Sequence, residues 1–297
     1  MSSSSEGFVR PEFLVETEWL VASLTDPGVV VLDCTVHLIP DPEATYTVVP
    51  GRADFERGHI PDAQFCDVQA DLSDPDHKFR FMLPSAKYFA AAMGRFGIGA
   101  DTRVILYSTA NVWWASRAWW MLRVFGHDNA AVLDGGWQKW NREGRPIETG
   151  PATPHAAKEF PVRQKRDLMV GREEVLAAIG DQAVCTINAL QPAQHQGTGG
   201  NSYGRPGHIA GSVNLPAAHL VDPDTNEFLA PAELRKRFAE VGAMDRRVIT
   251  YCGGGIAASA DALILTMLGH DNVVLYDASL TEWAADPTLP METASVG

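Results

Sequence analysis

Cys252 is the residue of this sequence best placed to do covalent chemistry. It follows the apolar run Val248-Ile249-Thr250-Tyr251, precedes Gly253, Gly254 and Gly255, and leads into a helix-like apolar pattern that starts at Ile256, Ala257 and Ala258. A β-branched run, a thiol, three glycines and a helical pattern in that order place the sulfur at a strand-to-helix turn. Free backbone N–H groups and the positive end of a helix dipole face such a position, a setting that lowers a cysteine pKa from about 8.5 into roughly the 3.5 to 7.5 range. A thiol of that kind is a nucleophile at neutral pH, and glycines let bare amides approach an anion formed on it. Six residues on stands Ala258, where a Cys-x5-Arg phosphatase needs an arginine to hold a phosphate dianion. Cys34, Cys66 and Cys185 lie in apolar strands or after a turn and are expected in the core. The four cysteines have no CxxC spacing, so neither a zinc site nor a disulfide framework is indicated. No metal or organic cofactor is implied, because no ligand cluster or dinucleotide fingerprint appears.

The elements that position this turn occur twice. Residues 103–140 begin RVILYS and contain Gly126-His127-Asp128-Asn129 and Trp140; residues 247–283 begin RVITYC and contain Gly269-His270-Asp271-Asn272 and Trp283. The second copy is one residue shorter between strand and GHDN turn, most simply in the loop after the strand. Upstream, each copy has a Gly-His-Ile turn, at Gly58-His59-Ile60 and Gly207-His208-Ile209, preceded by an apolar strand. Short apolar strands alternating with helical patterns imply βα units and a parallel sheet covered on both faces, with ligands at the carboxyl ends of strands. The expected fold class is therefore α/β, a tandem duplication of one domain. Its divisions are a disordered N-terminus over 1–7, a first domain over 8–146, a proline-rich linker over 147–167, a second domain over 168–291 and a tail over 292–297. Ser108 takes the place of Cys252 in the first copy, so that copy is expected to be catalytically silent and to supply a wall of the site.

Lys and Arg number 24 against 37 Asp and Glu, a net charge of −13, with no basic tract. That balance argues against nucleic acid or an anionic membrane as the main partner. The N-terminus has no signal-like apolar region, and no apolar run approaches the ~18 residues of a membrane span. A cytoplasmic location is expected.

The chain resembles two-domain rhodanese-type sulfurtransferases, the thiosulfate and 3-mercaptopyruvate enzymes, along nearly its whole length. The resemblance rests on Gly58-His59-Ile60-Pro61, residues 73–85, Asp134-Gly135-Gly136-Trp137, residues 205–216 and the Cys252 loop. It implies that Cys252 accepts a sulfane sulfur from a small donor as a persulfide, cradled by residues 253–258, and passes it to a thiol, cyanide or a protein. Thiosulfate enzymes of the family have basic residues after the cysteine; mercaptopyruvate enzymes have Cys-Gly-Ser-Gly-Val-Thr. Here the loop is Cys252-Gly253-Gly254-Gly255-Ile256-Ala257, nearer the second but without its hydroxyls. Where the family has Asp-x-Arg, this chain has Asn188-Ala189-Leu190, and the later carboxylate-binding arginine aligns with Gln194. The aspartate and histidine that accompany the loop serine align with Gln69 and Phe81. The substrate-binding candidates are Arg205, as an anion-binding cation before the second Gly-His-Ile turn, His37 as a proton donor or acceptor, Trp113 as an apolar lip, and Asn188. These losses favour, as the alternative reading, a sulfur-carrier or regulatory binding protein with little activity on small donors.

Overall fold

The computed structural model describes residues 7–41, 44–200 and 203–293; the N-terminal disorder expected over 1–7 therefore falls outside the described residues except at Gly7. In chain order the strands are β1 (Leu14–Val15), β2 (Val29–Asp33), β3 (Val36–Ile39), β4 (Thr47–Pro50), β5 (Gln64–Phe65), β6 (Arg103–Tyr107), β7 (Ala130–Leu133), β8 (Met169–Val170), β9 (Val184–Asn188), β10 (His208–Ile209), β11 (Val213–Asn214), β12 (Arg247–Tyr251), β13 (Val273–Tyr276) and β14 (Met291–Glu292). Two five-stranded sheets result, β1-β7-β6-β2-β5 and β8-β13-β12-β9-β11, parallel throughout. The expected tandem α/β duplication is thus observed, with the same strand order in both copies. Val104 to Tyr107 and Val248 to Tyr251 are buried in an unbroken run, as strands covered on both faces must be.

β6 and β12 occupy the middle of their sheets, and each ends in a tyrosine that fixes the Gly-His-Ile turn. The Ile60 N–H donates to the Tyr107 hydroxyl at 3.4 Å, and the Ile209 N–H to the Tyr251 hydroxyl at 3.1 Å. The two histidines of these turns are packing groups: His59 stacks on Phe55 and His208 on His195.

The helix Trp113–Val124 packs against the helix Ala257–Met267 and joins the two domains. Every residue of Ala257–Met267 is buried, because one face meets its own sheet and the other the neighbouring domain. Ser116 Oγ donates to the Val112 carbonyl and Ser259 Oγ to the Gly255 carbonyl. These matched bonds put both helices in the register of the GHDN turns, so the one-residue difference lies in the loop after the strand. Two equivalent aspartates cross the interface in opposite directions. Asp134 accepts the Phe228 N–H at 2.9 Å, and Asp277 accepts the Leu83 N–H at 2.7 Å.

The segment between the domains is docked on the first one. The N–H groups of Lys158, Arg163 and Lys165 donate to the carbonyls of Gly94, Phe125 and Val124, and Phe160 is buried. The tail expected from 292 begins inside a strand pair, since Glu292 opposes His208 in the antiparallel pair of β10 and β14. Among the described residues no helix is long and apolar enough to cross a membrane.

Asp33 ends β2, and Asn188 takes its place at the end of β9. Asp33 Oδ1 accepts the Thr35 N–H, and Asn188 Oδ1 accepts the Leu190 N–H, both at 2.9 Å. Burial raises the Asp33 carboxyl to about 6, against the lowering effect of its bonds from Thr35 and Tyr107. The folded state therefore holds this proton more tightly than the unfolded chain. The associated stability is present below about pH 4 and is lost as pH rises through about 6. Asp33→Asn copies the second domain and removes the charge, so its gain in unfolding free energy over the native chain should grow between pH 4 and pH 7 to at most about 3 kcal/mol. Denaturant titrations at several pH values check this; a gain that does not change with pH would contradict it.

Candidate active site

Cys252 follows β12 directly and is 2% exposed. The loop it opens is held from below by Ser279, a non-glycine residue in the left-handed region (φ 50°). The Cys252 and Gly255 N–H groups donate to the Ser279 hydroxyl at 3.1 and 3.2 Å, and that hydroxyl donates to the Tyr276 carbonyl at 2.7 Å. From the other side, the Leu280 and Thr281 N–H groups donate to the Cys252 and Gly253 carbonyls. Among the described residues no protein group accepts the N–H of Gly253, Gly254 or Ile256. Unengaged amides of a glycine loop at the start of the helix Ala257–Met267 are the kind of donors that bind anions.

Two of the three glycines are fixed by contacts. A Cβ on Gly253 would fall 2.0 Å from the Tyr203 ring, and Gly255 (φ 75°) lies against the Asp277 carbonyl and the Arg117 guanidinium. Arg117 comes from the first domain, is fully buried, and forms an ion pair with Asp277 at 2.7 Å while Nη2 donates to the Phe81 carbonyl. The contact of Arg117 Nη2 with Asp277 Oδ1 is a charge pairing rather than an aligned hydrogen bond, since among the described residues Asp277 Oδ1 has no hydrogen-bond partner. A buried cation therefore lies under the loop that carries Cys252.

Above the sulfur is a cavity of about 400 Å³ between the domains. The second domain contributes Cys252, Gly253, Gly254, Ile256, Ala257, Ala189, Leu190, Gln191, Gln194 and Tyr203; β3, Tyr46, Ala110, Asn111 and the start of helix Trp113–Val124 contribute the opposite wall. No lysine or arginine among the described residues lines it. Burial, and after it negative charge at Cys252, raises the hydroxyls of Tyr203 and Tyr46 above the ordinary tyrosine value.

His37 and Trp113 both line this cavity. His37 Nε2 pairs with Asp54 Oδ2 at 2.5 Å. Trp113 belongs to the first turn of a helix rather than to the loop, and its buried indole N–H has no partner among the described residues. Of the loop, Gly253, Gly254, Ile256 and Ala257 face the cavity, while Gly255 is turned to Ser279 and Ala258 is buried in the helix. Arg205 is a correction. Its guanidinium donates to the carbonyls of Trp283, Ala284 and Asp286, which closes the end of helix Ser279–Trp283, and it borders a neighbouring cavity of about 310 Å³. Orphan carbonyls at a helix end attract a cation in this way. Asn188 is likewise not at the cavity: it is fully buried, and its oxygen closes the turn at Leu190. Gln69 and Phe81 also lie off the lining. Sequence reading missed Ser279, Tyr203, Arg117 and Asp277. The pairing of Asp134-Gly135-Gly136 with Asp277-Ala278-Ser279 was the available signal, because a serine where the other copy has a left-handed glycine requires a reason.

Comparisons with known proteins bear on this site. The description "Rhodanese-like domain" matches twice, over residues 16–143 and 173–286. The chain is similar to the sulfur carrier protein TtuD of Thermus thermophilus, 34% identical over 290 residues, which span 93% of this chain and 95% of that protein. It is also similar to the thiosulfate sulfurtransferase of Cricetulus griseus, 32% identical over 284 residues and 91% of each chain. Among solved structures, the 3-mercaptopyruvate sulfotransferase SseA of Escherichia coli superposes with a TM-score of 0.79 at 31% identity, covering 90% of this chain and 98% of that one.

The glycine contacts give a graded test. Around Gly254 the nearest atom to an added Cβ is Thr281 Oγ1 at 3.8 Å, so Gly254→Ala should stay within about 0.5 kcal/mol of the native stability. Gly253→Ala must displace Tyr203 and should cost about 1–3 kcal/mol, as overpacking does. Denaturant unfolding measures both, and equal losses for the two variants would contradict the contact assignment.

Proposed function

The chain belongs to the family of rhodanese-like domain proteins, and from that premise we propose that it is a sulfurtransferase that works through a persulfide on Cys252. The observation that carries this reading is the loop itself: Cys252, Gly253, Gly254 and Ile256 line one cavity, and among the described residues no protein group accepts the N–H of Gly253, Gly254 or Ile256. In the first half-reaction the Cys252 thiolate attacks the outer sulfur of a small sulfane donor; the bond from that sulfur to the donor breaks and its electron pair leaves with the donor. The terminal sulfur of the persulfide then carries the charge, and the loop amides stabilise it. In the second, a thiol, cyanide or protein nucleophile attacks the terminal sulfur, the S–S bond breaks and the Cys252 thiolate returns, a ping-pong cycle. Ser279 and the pair of Arg117 and Asp277 shape the loop and are positioning groups.

Thiosulfate and 3-mercaptopyruvate are donors in the names of similar proteins, and both are anions. Here no lysine or arginine among the described residues lines the cavity, and burying a carboxylate or sulfonate without a cation costs several kcal/mol before compensation. That favours a second reading, a sulfur carrier loaded by a partner, in keeping with the name of the Thermus thermophilus relative. Turnover separates the two: a carrier loads and discharges with proteins but gives little steady-state rate with small donors.

Treatment with polysulfide, thiosulfate or 3-mercaptopyruvate followed by intact-mass measurement should show a gain of one sulfur atom by at least one donor, absent in Cys252→Ala. The same gain in Cys252→Ala, or none with any donor, would overturn the assignment.

A further inference from the structure

Resting on the persulfide reading above, we propose that the small-molecule acceptor of this site is an uncharged organic thiol with an aromatic or branched aliphatic body, and that the site discriminates against thiols carrying a carboxylate or sulfonate. The cavity walls are the ground for this. Trp113, Trp114, Tyr46 and Tyr203 supply four aromatic side chains, and Val36, Leu38, Ile39 and Ile256 supply branched aliphatic surface. The polar remainder consists of the amide side chains of Asn111, Gln191 and Gln194, together with His37. Such walls bury an apolar body and orient it through a few neutral hydrogen bonds.

Charge points the same way. The nearest buried cation, Arg117, lies under Gly255 on the far side of the loop and is already paired with Asp277. Arg80 sits over the Tyr46 ring at 5.8 Å and borders a neighbouring cavity with Lys78. Neither lines the Cys252 cavity. A persulfide already places one negative charge there, and among the described residues no lysine or arginine lines the cavity to balance another. An anionic acceptor would bring a second charge with no partner, whereas a neutral thiol brings none until it reacts. A volume of about 400 Å³ admits a body larger than the small anions named for the relatives.

The step balances without an added oxidant. The thiol proton leaves to His37, whose Nε2 is held by Asp54. The thiol sulfur forms a bond to the terminal persulfide sulfur, the bond from that sulfur to Cys252 breaks, and its electron pair remains on Sγ. The products are the acceptor hydropersulfide anion, the Cys252 thiolate and protonated His37.

The test starts from full-length protein loaded with polysulfide and freed of excess reagent. Discharge to benzyl mercaptan and to mercaptoacetate is followed as loss of one sulfur from the intact mass. Each rate is divided by the rate of the same thiol with a small-molecule trisulfide, which removes intrinsic nucleophilicity. Benzyl mercaptan should lead by at least about tenfold, the scale of discrimination that pocket contacts supply. Gln194→Arg, which adds a cation to the wall, should narrow the ratio by raising the mercaptoacetate rate. Equal normalised rates in the native protein, a faster mercaptoacetate, or discharge to neither thiol would overturn the proposal. Failure of the persulfide reading itself is recognised earlier, as no mass gain before any thiol is added.

Discussion

Arg117 is fully buried in a helix of the first domain, and the carboxylate it pairs with, Asp277, belongs to the second. Much of the site hangs from that contact. Asp277 also accepts the Leu83 N–H across the interface, and two residues after it Ser279 receives the Cys252 and Gly255 amides. The guanidinium lies against Gly255, so the docking of the domains and the curvature of the loop are one arrangement. Removing one member of a buried pair leaves the other charge uncompensated, at a cost of about 3–5 kcal/mol. The pair is thus a constraint on geometry more than a source of net stability.

The two copies support the loop after the central strand in different ways. In the first copy the loop after β6 is held by two hydroxyls, one its own and one from the turn after β2: the Ala110 N–H donates to Ser108 Oγ at 3.1 Å, and the Thr109 N–H donates to Thr35 Oγ1 at 2.7 Å. In the second, the support comes from Ser279 underneath, and Gly253 and Gly254 line the cavity. The same strand order and the same turn-fixing tyrosines therefore end in two different loops. One residue of length and three glycines make the difference.

Most of the architecture was legible from residue order. The repeat, the parallel strands and the turn that carries Cys252 are local patterns, each written in a run of about five residues, and hydrophobic periodicity reports such patterns well. The one-residue difference was also placed in the right loop. Contacts that depend on the packing of two domains were not legible. Arg205 precedes a family-like turn, yet three helix-end carbonyls claim it. Asn188 follows a strand as a ligand would, yet its amide completes a turn, as Asp33 does in the other copy. Arg117 sits in a tryptophan-rich helix with nothing nearby in sequence to mark it, and Asp277 lies far away along the chain. Tyr203 could not be tied to Gly253 without the fold, because a close approach between a ring and a glycine leaves no periodic trace.

A persulfide on Cys252, held by the amides of its own loop, is the proposed intermediate. A crystal structure of the polysulfide-treated protein tests this most directly. The account predicts density for one additional atom on Cys252 Sγ, facing the N–H groups of Gly253, Gly254 and Ile256, and none on Cys34, Cys66 or Cys185. An unmodified Cys252, or added density on one of the other cysteines, would contradict it.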